Sequence, residues 1–578
     1  MGNSVALQNT QYIYDLVNLC AQFNVEKAVV CPGSRCAPLL IGFGKHPDIE
    51  TISITDERSA GFVGLGMAQQ TESPVVLVCT SGTAAQNFTP AVTEAYYQHV
   101  PLVVLTADRP SEWIDQWDGQ TIHQGNLYEP HIKGSFIYDE ELVVVGEQAL
   151  ALALSGAKGP VHLNIPIREP FYPDSLDEFK IATKGTKFTK EKIYKIEKST
   201  WNGFESILNS SEKVLVLGGQ TEPDPRLVEL LNQLDVPVVG DVISNLHGVD
   251  GVIKTADLVF KKILAPETNS GCKHTKGAEY TNNFKPNFLV TIGRSIISKN
   301  LKLFLREYKP QAHWHIGEGM AGDPFQSLTK IVEIPPAIFL KEWLTKFAKE
   351  PQRAQSKAKR QYDYFALLSK VQKEVCDDLD SKLEKAEFNY FSAVRKIIKN
   401  LPKNSLLHLG NSMPVRIANF IGIQDPTINV WCNRGTSGID GVVSTAVGHA
   451  IAEPNRKHTL IIGDLSFFYD RNGLWLNHEF PNNLQIVILN DSGGGIFNMI
   501  PGPSDQGDLT HLFTTKHNRT AEPTAKEFGL EYWSVGSMDE LEKVLEKIES
   551  GILEIFTDMK INTETFKRIA TKGTEDTK

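Results

Sequence analysis

No apolar run in this sequence reaches the ~18 residues that a membrane-crossing helix needs, so a transmembrane-helix reading finds no support. The cysteines form no framework either. There are seven, at 20, 31, 36, 79, 272, 376 and 432, without a Cys-x-x-Cys pair or zinc-ligand spacing, and they read as reduced thiols. Cys79 closes the apolar run Val75-Val76-Leu77-Val78 and reads as a small core hydrophobe rather than a nucleophile. Positive charge is in deficit: the formal net charge is -10 at pH 7, so no global basic field attracts nucleic acid or an anionic membrane. The start, Met1-Gly2-Asn3-Ser4-Val5-Ala6, lacks the cationic segment and apolar core of a signal peptide, and Ala6 stands where myristoylation wants Ser or Thr. A cytoplasmic protein with no nucleic-acid partner and no membrane span is expected. Also missing are a Walker A loop, a Gly-x-Gly-x-x-Gly fingerprint well placed after a strand, a His-Glu-x-x-His pair and an EF-hand loop. Nucleotide, hydride-transfer and zinc-hydrolase readings lose their usual support.

What remains is ordinary globular composition, 41% hydrophobic and 22% charged, over 578 residues. That length suits about three or four domains. Short apolar, β-branched runs recur, each followed by Gly, Ser or Asp and then a longer helical pattern, as βα units of parallel sheets require. They fall in three blocks. The first holds Ala28 to Cys31, Val75 to Cys79, Leu102 to Thr106 and Val161 to Ile165, and runs out in a Lys/Thr-rich stretch, Thr183 to Lys198, that reads as a linker. The second holds Val214 to Leu217, Val236 to Gly240 and Phe288 to Gly293, ending near Ile334-Pro335-Pro336. A charged segment, Lys346 to Lys385, reads as a surface helix bridging domains. The third block holds Leu406 to Leu409, Ile428 to Trp431, Leu460 to Ile462, Gln485 to Leu489 and Leu553 to Phe556, before a polar tail. The expected fold class is α/β, with three doubly wound parallel-sheet domains over 1–185, 186–350 and 351–578.

Sheets of this kind bind ligands beyond the carboxyl ends of their strands, so the residues just after each apolar run matter most. At two such ends lie Ile462-Gly463-Asp464-Leu465-Ser466 and Leu489-Asn490-Asp491-Ser492-Gly493-Gly494-Gly495-Ile496-Phe497. Two carboxylates and a main-chain carbonyl in a glycine turn supply the hard oxygen ligands that Mg²⁺ needs beside a diphosphate. A helix starting near Ser466 would aim free N–H groups at the same diphosphate. Taken singly, a Gly-Asp pair or a glycine cluster is explained by a turn. Together, at this spacing, they resemble the thiamine-diphosphate motif, which implies Asp464, Asp491 and the Gly493 carbonyl as ligands of Mg²⁺ or Mn²⁺. That family usually carries Asn where Asp491 stands. The coenzyme also needs a glutamate beside its aminopyrimidine ring. Thr55-Asp56-Glu57-Arg58-Ser59-Ala60-Gly61-Phe62 offers Glu57, followed by the small-residue run Val63-Gly64-Leu65-Gly66-Met67-Ala68; an exposed charged turn is the alternative. A carboxyl buried there is expected to have a raised pKa.

The whole chain resembles the SEPHCHC synthase (MenD) family of menaquinone biosynthesis, within the thiamine-diphosphate-dependent enzymes. The carriers include Cys31-Pro32-Gly33-Ser34-Arg35-Cys36-Ala37-Pro38, Thr80-Ser81-Gly82-Thr83-Ala84, Thr106-Ala107-Asp108-Arg109-Pro110, Gly410-Asn411-Ser412 and Asn433-Arg434-Gly435-Thr436-Ser437-Gly438-Ile439-Asp440-Gly441. The resemblance implies a transferase that decarboxylates 2-oxoglutarate and adds the succinyl unit to isochorismate. Both substrates are dianions, which arginine forks suit, although a surface ion pair is the alternative for any one arginine. By the same resemblance, Ser34, Arg35, Arg109, Gln120 and Lys299 would hold isochorismate, and Ser412, Arg416 and Arg434 the succinyl carboxylate. Asn300 stands where some members carry a second basic residue. Glu57, Thr83, Ser412, Ile439, Gly463, Asp464, Leu465, Ser466 and Ile496 would contact the cofactor, with Ile439 propping it and Phe497 walling the pocket; core packing is the alternative for the last two and Ile496. Glu57 and the metal ligands would come from different subunits of a homodimer or a dimer of dimers. Rival readings are another thiamine-diphosphate carboligase or decarboxylase, or a non-catalytic regulatory relative.

Overall fold

Each apolar run becomes a strand in one of three sheets whose strand pairs are all parallel. A computed structural model of the chain describes residues 10–172, 194–265, 280–347, 355–476, 479–500 and 502–570. The first sheet comprises β1 (Lys27–Val30), β2 (Glu50–Ser53), β3 (Val75–Cys79), β4 (Leu102–Asp108), β5 (Ser135–Ile137) and β6 (Val161–Pro166). The second comprises β7 (Val214–Gly218), β8 (Val238–Gly240), β9 (Phe288–Ile292), β10 (Ala312–Ile316) and β11 (Lys330–Val332). The third comprises β12 (Leu406–Leu409), β13 (Asn429–Trp431), β14 (His458–Gly463), β15 (Leu484–Asn490), β16 (Tyr532–Val535) and β17 (Gly551–Phe556). β3, β7 and β9 are buried along their whole length, as parallel strands covered by helices on both faces must be.

The first and third sheets have the same spatial order. It runs β2-β1-β3-β4-β6-β5 in one and β13-β12-β14-β15-β17-β16 in the other, while the second runs β11-β10-β9-β7-β8. In every sheet the order reverses between the first and third strands, and that reversal opens a crevice at the strand ends where ligands bind in doubly wound folds. Gly33-Ser34 and Ser81-Gly82 flank this crevice in the first sheet, and Gly410-Ser412 and Gly463-Asp464 flank it in the third.

The helices that carry the site are α1 (Glu57–Thr71), α2 (Thr89–Gln98), α3 (Lys299–Glu307), α4 (Gln355–Glu384), α5 (Met413–Ile421), α6 (Val442–Ala452) and α7 (Asp464–Asp470). α1 and α6 join the first and third blocks at backbone distance. A Cβ at Gly66 would stand 2.1 Å from the Thr445 carbonyl oxygen, and one at Gly448 would stand 2.1 Å from that of Val63. One apolar core therefore runs from Val63 and Leu77 through Val447 to Ile488.

Several expectations change. α4 is not merely a surface bridge: Tyr364, Leu368, Val371, Val375, Leu379 and Leu383 form a buried stripe at helical spacing. That stripe packs into a core shared by the second and third sheets. Strands β2, β5, β11 and β16 carried no apolar signal because they are sheet edges, short and partly exposed. β10 escaped because His313 and His315 interrupt its apolar run; both are buried and hydrogen-bond the Thr291 hydroxyl, at 3.0 and 3.1 Å. The expected linker at Thr183 to Lys198 lies mostly outside the described residues, as do the first six residues and the polar tail after Ala570. The cysteines described are free, and all but Cys376 are buried.

Candidate active site

The crevice of the first sheet gathers the arginines that follow its strands. Arg35 is 9% exposed, donates to the Ile167 carbonyl and lies 4.8 Å over the Phe171 ring. Burial, then the neighbouring Arg109 charge, lowers its pKa. Arg109 pairs with Asp118 at 2.7 Å and donates to the Gly119 carbonyl, next to Gln120. Gln120 takes a left-handed φ of 58°, and its backbone would lie 3.3 Å from a Cβ on Gly82, so residue 82 must be small. Ser34, Thr83 and Gln120 are exposed at this mouth. Arg35, Arg109 and Gln120 thus converge on one rim.

In the third sheet α7 starts at Asp464 itself, two residues earlier than the sequence suggested, with Gly463 as its N-cap. Asp464 accepts from Leu465 N at 2.6 Å and from Gly493 N at 2.9 Å, which binds the end of β14 to the glycine turn after β15. The Leu465 N–H is therefore engaged locally. Gly493 has φ +152°, and a Cβ there would meet the Thr514 carbonyl at 2.6 Å, so this turn requires glycine. Asp464 and Asp491 are 3% and 5% exposed. Burial pushes both carboxyls up to about 7, and for Asp491 the Asp464 charge adds to it. Tyr390 and Asn562 hold Asp491 from outside, the amide at 3.4 Å. His517 Nδ1 accepts from Arg519 N, so its Nε2 carries the proton; that atom lies 3.2 Å from an Asp464 oxygen. The Ser466 hydroxyl donates to the Ile439 carbonyl at 2.7 Å, joining the strand end to the loop that presents Ile439, 41% exposed. Leu465 and Phe497 close around Gly494.

A second cationic group stands nearby. Arg416 donates to the Ser412 carbonyl at 2.6 Å and Arg434 to Asn411 Oδ1 at 3.1 Å. Burial, then Arg434, lowers the Arg416 pKa, so two guanidiniums share one region where an anion would relieve their repulsion. Lys299 is exposed at the first residue of α3, and the preceding Ser298 receives a hydrogen bond from Asn419 of α5 at 3.0 Å. Asn300 turns instead to Asp257, donating from its backbone at 2.7 Å and its side chain at 3.2 Å. Lys302, which the sequence did not single out, feels the Arg434 charge.

Glu57 is half-buried at the first turn of α1, and burial, with a smaller contribution from Asp56, raises its pKa as expected. Its neighbours reach the third block of the same chain. Asn472 donates to Asp56 at 2.8 Å; Arg58 donates to the Tyr469 carbonyl at 2.9 Å and stacks on the Tyr469 ring at 4.8 Å. These contacts lie near the Asp470 end of α7, while Asp464 begins it, about 9 Å of helix rise away.

Residues 13–127 match the family model for the thiamine pyrophosphate enzyme N-terminal TPP binding domain, and residues 409–552 the model for the C-terminal one. A benzoylformate decarboxylase from Polynucleobacter necessarius superposes with a TM-score of 0.66 at 16% identity, covering 95% of this chain and 98% of that one, which speaks for the fold. The 2-succinyl-5-enolpyruvyl-6-hydroxy-3-cyclohexene-1-carboxylate synthase of Cytophaga hutchinsonii is 40% identical over 96% of this chain and 98% of its own. This chain belongs to that synthase family. The same-named protein of Flavobacterium johnsoniae is 38% identical over 94% of this chain and 95% of its own. The glycines and carboxylates described above thus lie on a synthase-family scaffold with both thiamine pyrophosphate domains.

The residues fit such a cofactor. Two buried carboxylates that raise each other's proton affinity are an excess of negative charge that a divalent cation offsets. Among the described residues no three His, Cys, Asp or Glu side chains cluster as metal ligands, so Asp464 and Asp491 need a carbonyl and diphosphate oxygens to complete a shell. A Cβ at Gly463 would meet nothing within 4 Å, and the Ser81 hydroxyl is buried without a hydrogen-bond partner among the described residues. Sequence reasoning missed Tyr390, His517 and Asn562, none of which lies within a glycine-marked motif.

Proposed function

We propose that this enzyme decarboxylates 2-oxoglutarate and adds the succinyl unit to isochorismate, giving 2-succinyl-5-enolpyruvyl-6-hydroxy-3-cyclohexene-1-carboxylate for menaquinone biosynthesis. The observation that carries the reading is the pairing of two cationic groups, one on the first sheet and one on the third, with the buried Asp464 and Asp491 pair. Two dianionic substrates require two such groups. Thiamine diphosphate, when bound, supplies the electron sink for loss of CO₂ and for forming the new carbon–carbon bond.

The chain's own residues position and neutralise. Asp464, Asp491 and the Gly493 carbonyl hold Mg²⁺ or Mn²⁺ against the diphosphate, with Gly463, Leu465 and Ser466 alongside. Ile439 and Ile496 bear on the cofactor rings, Thr83 lies at their edge, and Phe497 walls the pocket. Glu57, its carboxyl already disposed to hold a proton, exchanges that proton with the aminopyrimidine nitrogen. Ser412, Arg416 and Arg434 take the distal carboxylate of 2-oxoglutarate. Ser34, Arg35, Arg109, Gln120 and Lys299 take isochorismate, with Asn300 withdrawn toward Asp257. A second copy completes each site, which also covers Ile439, Tyr469 and Trp475, 41%, 53% and 46% exposed in the single chain. The three domains are taken as 1–185, 186–350 and 351–578, and the compartment as the cytoplasm; among the described residues no helix is long and apolar enough to cross a membrane.

The test is CO₂ release from 2-oxoglutarate with thiamine diphosphate and Mg²⁺, measured with and without isochorismate and with the product identified by mass. Isochorismate-dependent turnover to the condensed acid is expected. Turnover of a neutral 2-oxo acid in preference to 2-oxoglutarate would assign the site to another decarboxylase or carboligase.

A further inference from the structure

One buried carboxylate lies outside every group so far described. Glu94, on α2 of the first block, is 1% exposed, yet its partners lie mainly in the third block. Its oxygens accept from Gly435 N at 2.8 Å, Thr436 N at 2.6 Å, the Thr436 hydroxyl at 2.6 Å and the Gln98 amide. Four donors compensate for burying it. The approach depends on glycine: a Cβ at Gly435 would stand 2.9 Å from the Glu94 carbonyl oxygen and 3.0 Å from a carboxylate oxygen.

The network continues into the second block. Gln98 Oε1 accepts from Gln69 and from Gln220, both at 3.0 Å, and Gln220 also donates to the Cys432 carbonyl at 2.9 Å. All three blocks therefore meet around residues 432–436. Arg434 lies between these anchors, after the end of β13, where no sheet ladder holds the chain. Its other restraint is Asn411, which donates to the Asn433 and Gly438 carbonyls at 2.7 Å each and accepts from the Arg434 guanidinium. The location of the Arg434 charge is thus set from one side by a third-block amide and from the other by a first-block carboxylate.

We propose that Glu94 is a positioning residue for the 2-oxo acid: by holding the backbone of Gly435 and Thr436, it fixes where the Arg434 guanidinium meets the substrate's distal carboxylate. The inference rests on the reading of Arg434 given above. A residue that acts only through Arg434 has a signature that mere structural glue lacks: its effect falls on one substrate, and it disappears once Arg434 is gone.

The experiment is a double-mutant cycle on the holoenzyme with Glu94→Gln, Arg434→Ala and the double variant. KM is measured for each substrate and thiamine diphosphate affinity by titration. Glu94→Gln keeps the shape but turns one acceptor oxygen into a donor facing N–H groups. It is expected to raise KM for 2-oxoglutarate about tenfold, with KM for isochorismate changed less than about twofold and cofactor affinity unchanged. In the Arg434→Ala background, Glu94→Gln is expected to add less than about twofold. Effects that multiply in full, or that fall equally on both substrates, would overturn the proposal while leaving Arg434 in its role. An Arg434→Ala variant with unaltered KM for 2-oxoglutarate would overturn the reading of the pocket and this inference with it. Should Glu94→Gln fail to fold, Thr436→Val removes one donor alone. It is expected to raise the same KM about threefold, and no change would equally overturn the proposal.

Discussion

Replacing Asp491 by Asn, the residue more usual at this position among thiamine-diphosphate enzymes, should stabilise the metal-free protein at alkaline pH and weaken its response to metal. Asp491 is 5% exposed, and its carboxyl is pushed from 3.8 up to about 7, by burial first and by Asp464 second. A folded-state pKa above the unfolded one means that the native state binds this proton more tightly. Its contribution is fully present below pH 3.8 and is lost as pH rises through 7. The gap, 7 minus 3.8, is about 3 units, or about 4 kcal/mol at ~1.4 kcal/mol per unit, before relaxation of the site. Asn carries no charge at any pH. Asp491→Asn is therefore expected to raise stability by about 2–4 kcal/mol at pH 8, with the gain shrinking toward zero near pH 4. Thermal unfolding of the metal-free wild type and variant at several pH values reads this as a Tm difference that widens by several degrees with pH. Adding Mg²⁺ and thiamine diphosphate should stabilise the wild type more than the variant, because the variant has lost an anionic ligand. A Tm difference constant between pH 5 and pH 8 would refute the argument.

Glu57→Gln preserves shape but cannot shuttle a proton; turnover should be abolished with cofactor binding still measurable by titration, and near-normal activity would remove Glu57 from its role. Arg416→Ala should raise KM for 2-oxoglutarate by about 10–100-fold and that for isochorismate by less than about threefold, and the reverse pattern would mean that the two anion groups are exchanged. Gly448→Ala should lower the Tm despite alanine's better helix propensity, since its Cβ would meet the Val63 carbonyl at 2.1 Å and neither helix backbone can yield cheaply; about 1–3 kcal/mol is expected. The same change at Gly44, helical and with nothing within 4 Å, should leave the Tm equal or higher.

The parts of the site most visible in the sequence are those where backbone geometry dictates residue type. Gly82 and Gly493 stand where a side chain would strike backbone, and Asp464 follows a six-residue strand whose run of apolar residues marks its end. Long buried strands such as β3, β4 and β15 announce themselves in the same way. Side chains that act across blocks do not. Glu94 looks like any helical glutamate until α2 is packed against residues 435–436, and Tyr390 and Asn562 reach Asp491 from helices far from it in sequence. Nor does local pattern reveal that the first and third sheets share one strand order, because β5 and β16 are short, partly exposed edges. The stripe on α4 was spaced as a helix, but its charge masked how much of it is buried.

The central claim is that Glu57 of one subunit and Asp464 of another serve the same cofactor, and subunit complementation tests it most directly. Glu57→Gln and Asp464→Asn chains, each inactive alone, are unfolded together in equal amounts, refolded and assayed for isochorismate-dependent turnover. Sites shared between subunits predict recovery of about one quarter of wild-type activity, since half of the dimers are mixed and each mixed dimer has one intact site. No recovery, with mixed dimers shown to have formed, would mean that each chain builds its own site.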